Sequence, residues 1–198
     1  MKTNGTKNNL NFQRVNIAGI DYSTTSPSIC IKLDGNWDIH FLTEKTGLTQ
    51  EEFWSEPFLF FGSYLPKNTY FHDPIGKYKY ISSWAMDVLN SYDVENVCLE
   101  DYAYAATGRV FNIGENTGIL KYRMQARDIY WTTVAPTEVK KYATGKGNAG
   151  KELMLSNFIT QTGVDLRNVM GYAGSNPISD IVDSYFICNF YNDQMESV

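Results

Sequence analysis

The chain has 198 residues, a formal net charge of −5, 43% hydrophobic content and 15% aromatic content. That apolar share excludes a disordered chain, and the length favours one domain with a sizeable core. No run approaches the roughly 18 apolar residues of a membrane span, and the polar opening MKTNGTKNNLNFQR lacks the apolar middle of a secretory signal, so the expectation is a soluble, cytoplasmic protein.

Residues 1–14 read as a loose tail and residues 15–192 as a single domain. Val15 to Asp21 (VNIAGID) reads as a buried strand closed by a carboxylate, followed by the turn-rich YSTTSPS and a second strand, Ser28 to Leu33. Asp34-Gly35 is a hairpin signal leading to a third strand, Trp37 to Leu42. From about residue 43 to 80 the chain is rich in aromatics, and Pro57, Pro66 and Pro74 interrupt any period; this reads as an insertion packed on the sheet. Ile81, Trp84, Ala85, Val88 and Leu89 share one face of a helix spanning Tyr80 to Asn90.

Glu95 to Glu100 (ENVCLE) is another apolar strand ending in a carboxylate, and Asn112 to Asp128 has helical spacing. A strand from Ile129 to Ala135 is stopped by Pro136, which opens a short helix, Thr137 to Tyr142. A glycine-rich loop, Thr144 to Gly150, separates it from helices at Lys151 to Gln161 and Ser179 to Tyr191. Three strands followed by alternating helix and strand predict an α/β fold, a mixed sheet covered by helices. Cys30, Cys98 and Cys188 are far apart in apolar runs and read as buried thiols, since zinc and redox motifs need closely spaced pairs.

Four acids stand out by position. Asp21 and Glu100 each end an apolar strand; if those strands are parallel neighbours, both carboxylates emerge at one sheet edge. Asp180 and Asp183, three apart on a helix, share a face. Converging carboxylates repel and resist desolvation, a conflict that hard divalent cations resolve. Two such ions ~4 Å apart activate water for phosphodiester hydrolysis without a protein nucleophile. Blander roles remain for two of them: Asp21 as a cap of the turn after it, and Asp180 as a first-turn helix acid. Glu100 has no local cap to serve. His40 and His72 are the only histidines, and their placement in a strand and in the insertion suits structural or surface roles. From Lys121 to Lys151, seven basic residues face two acids, so an acidic protein carries one basic stretch compatible with phosphate contacts.

The stretches GIDYSTTSPSIC, VCLEDYAYAATGRVFNIGENTGILKYRM, VAPTEVKKYATGKGNAGKELM and SDIVDSYFIC together resemble the RuvC family of Holliday junction resolvases, in the family's order and over about half the chain. The resemblance implies an RNase H-like fold and a homodimer that cuts four-way DNA junctions with two Mg²⁺ ions, for which Mn²⁺ substitutes. It implies catalytic, metal-binding roles for Asp21, Glu100, Asp180 and Asp183. Lys140 and Lys151 match residues holding the phosphates of the cut strand, with Lys141 and Lys146 as neighbours in that role. Tyr102 and Tyr104 fall where an aromatic stacks on unpaired bases, and Arg109 falls in a loop suited to a phosphate contact. The helix from Asn112, with Gly114 and Gly118, would supply the dimer face. The chain departs from bacterial members in having Tyr22-Ser23-Thr24-Thr25 where Pro-Gly usually follows the first Asp, and in its longer aromatic insertion. This points to a phage, viral or organellar type, acting in the host cytoplasm if phage-encoded. It also leaves two alternatives open: a nuclease for flaps, forks or hybrids, and a catalytically silent nucleic-acid-binding module.

Overall fold

The computed structural model describes residues 16–49, 52–101 and 110–197; the N-terminal tail, Tyr102, Tyr104 and Arg109 lie outside them. Strand β1 (Ile17–Asp21) pairs antiparallel with β2 (Ser28–Lys32), which pairs antiparallel with β3 (Trp37–Thr43). The β2–β3 turn closes where expected: Gly35 takes a left-handed φ of 83°, and Leu33 N–H donates to Asn36 O over 2.9 Å. On the other side of β1 lie β6 (Asn96–Glu100) and β7 (Tyr130–Val134), both parallel to it. Parallel pairing requires crossovers, and the chain makes the β6–β7 crossover through helix α2 (Val110–Gln125).

Part of the aromatic insertion packs on the sheet as expected, Leu48 in one core layer and Leu65 in the other, but the insertion also extends the sheet. Two further strands, β4 (Glu52–Ser55) and β5 (Phe58–Tyr64), form a hairpin. β5 adds parallel to β3, giving among the described residues a seven-stranded order β4-β5-β3-β2-β1-β6-β7. Pro57 breaks no strand, because it occupies the turn between two of them. Nor does Pro74 break a helix. It is the first residue of α1 (Pro74–Ser91), which starts six residues before the expected Tyr80, behind an N-cap in which Asp73 accepts from the Gly76 N–H at 2.7 Å.

Each face of the sheet is covered by helices, and the period of two along each strand assigns its residues to one layer or the other. Ala18, Ile20, Ile29, Ile31, Val97 and Leu99 pack with Ile81, Ala85, Leu89 and Leu120 of α1 and α2. Ile17, Cys30, Ile39 and Cys98 face the opposite layer, made by α3 (Pro136–Thr144), α4 (Lys151–Thr162), the short α5 (Leu166–Val169) and α6 (Ile178–Glu196). The three cysteines are buried free thiols, as expected. His40 is wedged into structure, stacked on Phe61 at 4.4 Å and against the Tyr92 hydroxyl at 3.0 Å; burial lowers its pKa to about 4. No helix among the described residues is long and apolar enough to cross a membrane.

Gly19 decides how close α6 comes to β1. A Cβ there would lie 2.2 Å from the Cys188 nitrogen and 2.6 Å from the Ser184 carbonyl oxygen, both helix backbone that cannot swing aside. Ser28 and Ser184 hydroxyls, 2.9 Å apart, tie the same helix to β2. Gly19→Ala should therefore push α6 outward, costing about 1–3 kcal/mol as overpacking does. Thermal melting measures this directly, and an unchanged midpoint would show that the helix has room to shift.

Candidate active site

The alternation that sends Cys98 toward α6 sends Glu100 there too, and Gly19 and Asp21 follow the same rule on β1. The parallel register pairs Gly19 with Cys98 and Ile20 with Leu99, so one further step brings the two carboxylates side by side at the strand ends. Asp180 and Asp183 come down on them from the first two turns of α6, the helix that Gly19 admits. The four acids separated by up to 162 positions in sequence therefore share one environment.

Their ionisation shows how closely they interact. Burial, then the charges of Asp180, Glu100 and Asp183, push the Asp21 carboxyl well above the usual carboxylate range. Asp183 is raised to about 7, first by burial and then by Glu100 and Asp180, with Lys140 and Lys151 pulling the other way. Burial raises Glu100, with Lys140 opposing and Asp180 adding to the rise. Burial also raises Asp180, against hydrogen bonds from Ser26 and Asp21 and the charge of Lys151. The common cause is desolvation of like charges. A hydrogen bond between the Asp21 and Asp180 carboxyls adds to the rise of Asp21 and opposes that of Asp180.

Among the described residues, Lys140 on α3 and Lys151 at the start of α4 place positive charge on this cluster. Lys151 is held by a chain that the sequence did not reveal. Its Nζ donates to Asn176 Oδ1 at 3.1 Å, to Ser179 Oγ at 3.2 Å and to Ser175 Oγ at 3.3 Å. Asn176 Nδ2 donates to Ser26 Oγ at 3.0 Å, and Ser26 Oγ donates in turn to Asp180. Ser26 sits in YSTTSPS, which read only as a turn, and Asn176 in the segment just before α6. Neither residue adjoins an acid in sequence, so spacing carried no signal for them. Lys141 and Lys146 are exposed, one position round α3 and in the turn after it. That glycine-rich turn is firmly built: Gly145 caps α3 with φ 77°, and Thr144 Oγ1 accepts from the Lys146 N–H at 3.2 Å.

Among the described residues, no group of three or more His, Cys, Asp and Glu side chains is already arranged to hold a metal ion. The donor chemistry nonetheless fits hard divalent cations: four carboxylates, largely removed from water, each harder to ionise because of burial and its neighbours. Beside the cluster opens a cavity of about 890 Å³, whose lining includes Asp21 and Glu100 together with residues of the insertion and of α2.

A five-strand mixed sheet in the order β3-β2-β1-β6-β7 with helices on both faces, extended here by β4 and β5, is the RNase H-like α/β fold. No protein-family model and no curated protein sequence matches the chain. Solved structures do. Thermus thermophilus RuvC matches with a TM-score of 0.56 at 17% identity, over 91% of this chain and 97% of that one. The same protein in complex with Holliday junction substrate matches with a TM-score of 0.58 at 16% identity, over 92% and 97%. The yeast mitochondrial Holliday junction resolvase Ydc2 matches with a TM-score of 0.50 at 16% identity, over 88% and 76%. The chain thus shares its fold with RuvC along nearly its whole described length.

Proposed function

We propose that this protein is a divalent-metal-dependent endonuclease that cuts DNA at four-way junctions. The observation that carries this reading is the meeting of Asp21, Glu100, Asp180 and Asp183 at one sheet edge, flanked by Lys140 and Lys151, on a fold shared with a junction-bound RuvC. A module that only binds nucleic acid gains nothing from four mutually repelling acids, one buried and three half-buried.

The four carboxylates would hold Mg²⁺ or Mn²⁺, which when bound activates water and stabilises the leaving oxygen of a phosphodiester. The chain's own groups do the rest. Ser26 orients Asp180 by donating to it, which leaves the remaining lone pairs of that carboxylate free to ligate. Lys151, fixed by Asn176 and Ser179, and Lys140, beside Glu100, place positive charge where the strand's phosphate must approach an acidic cluster. Burial of the Ser26–Asp180 hydrogen bond keeps bulk water from competing for it and strengthens it.

A homodimer belongs to the same reading. On α2, Phe111 and Tyr122 are 79% and 75% exposed, and on the same side a side chain built at Gly114 or Gly118 would meet nothing within 4 Å. Two exposed aromatics flanking small residues suit a second copy, and two active sites would then address two strands of one junction.

The test is incubation of the protein and Mg²⁺ with a four-way junction, a flap, a fork, a duplex and an RNA–DNA hybrid in parallel. Preferential cutting of the junction is expected; equal or better cutting of flaps or hybrids would redirect the substrate, and no cutting of any would defeat the nuclease reading. Lys151→Ala should weaken binding to every branched DNA and reduce the slope of log K against log salt by about one ion. An unchanged slope would remove Lys151 from the phosphate path.

A further inference from the structure

The cavity beside the acids has a second wall that none of the roles above uses. The insertion supplies it: Asn68, Phe71, Asp73, Lys77 and Tyr78 line the same cavity as Asp21, Glu100 and the turn after β1. At about 890 Å³ the space is of the size that takes a small molecule rather than a double helix. Asp21, Glu100 and Asp101 make the strand-end part of the lining acidic, whereas the insertion contributes one charge of each sign, Asp73 and Lys77.

The insertion's part of the lining is built for a flat aromatic ligand. Phe71 is half-buried and braced edge-on by Tyr70 at 5.2 Å and by Tyr80 at 5.8 Å; the Tyr80 hydroxyl is itself anchored on the Tyr64 carbonyl oxygen at 2.8 Å. Its ring is therefore presented at low entropic cost. Lys77, buried along its stem, donates to Asn68 Oδ1 at 2.6 Å. That bond orients the amide and leaves its Nδ2 protons, with the remaining Lys77 protons, for acceptors on a ligand. An aromatic face next to amide and ammonium donors suits a nucleobase, and the absence of net positive charge disfavours a phosphate there.

Resting on the nuclease reading, we propose that this groove receives one unpaired nucleotide of the cut strand, its base stacked on Phe71 and its polar edge met by Asn68 and Lys77. The phosphate of that nucleotide then lies toward the acids. The insertion thus acts as the element that selects DNA whose strand can leave the helix beside the cut, because a fully paired base cannot enter without paying the cost of unstacking.

The test places 2-aminopurine at the unpaired position beside the cut in a four-way junction and follows its fluorescence before cleavage. Wild-type protein should quench the probe in the junction and not in a paired duplex. Phe71→Ala should lose the quenching and raise KM about tenfold while kcat stays within twofold, and Phe71→Trp should restore both. Asn68→Ala, at an exposed position, should raise KM several-fold with quenching retained, because it removes a polar contact and leaves the ring in place. Junction cutting by wild type with Phe71→Ala unchanged in quenching and KM overturns the inference alone; a wild type that cuts nothing overturns the nuclease reading and this one with it.

Discussion

Asp183→Asn should reduce Mg²⁺-supported cutting of a four-way junction by roughly a thousandfold or more, while junction affinity is kept or increased. The substitution preserves size and some hydrogen bonding, so α6 should stay in place. What it removes is an anionic oxygen at the point where Glu100, Asp180, Lys140 and Lys151 all act. A metal-bound transition state for phosphodiester hydrolysis draws several kcal/mol from its ligand charges, and each 1.36 kcal/mol is tenfold in rate. Binding responds oppositely, because one negative charge beside the DNA backbone is gone. Rate constants under single-turnover conditions, with binding followed in the same buffer, separate the two effects. Cleavage at near wild-type rate would take Asp183 out of the site; loss of binding together with cleavage would mean that the substitution had disturbed α6.

The sequence carried the central strands and the acids because their signals are local. An apolar run that stops on Asp21 or Glu100 announces both a strand and its functional end, and the three-residue spacing of Asp180 and Asp183 needs only a helix to put them on one face. The convergence of the two pairs was not local. It depends on Gly19 letting α6 sit against β1, a contact between residues that sequence spacing does not connect. β5 escaped recognition for a different reason. Phe58, Leu59, Phe60 and Phe61 are apolar on both faces of the strand, since one face enters the core and the other carries the Phe61–His40 stack, so no alternation of polarity remains to mark a period of two. The start of α1 was in fact signalled by Asp73-Pro74, an N-cap followed by proline, but a third proline in an aromatic tract reads more naturally as a breaker. The serines and the asparagine behind Asp180 and Lys151 are ordinary turn residues in sequence, and only three-dimensional proximity makes them a relay.

The same electrostatics make stability depend on pH and on divalent cations together. In chelator, all four carboxyls hold their protons more tightly in the folded protein than in the unfolded chain. A raised folded pKa gives stability that is complete below the unfolded value and is lost as pH rises through the folded one. For Asp183 that window runs from the model-compound value of 3.8 up to about 7. The melting temperature of the chelated protein should therefore fall between about pH 4 and pH 7. Asp183→Asn, unable to ionise, should flatten the fall and melt higher than wild type at pH 8. Mg²⁺ should do what the substitution does, by neutralising the charges instead of deleting one: at a hundred times its dissociation constant a cation adds about 2.7 kcal/mol, worth several degrees in a chain of this size. That rise should be large at pH 8, shrink at pH 5 where protons compete for the carboxylates, and be much reduced in Asp183→Asn. A wild-type midpoint indifferent to Mg²⁺ at pH 8 would mean that the acids meet without serving as a metal centre, and the nuclease mechanism would lose its basis even with the fold intact.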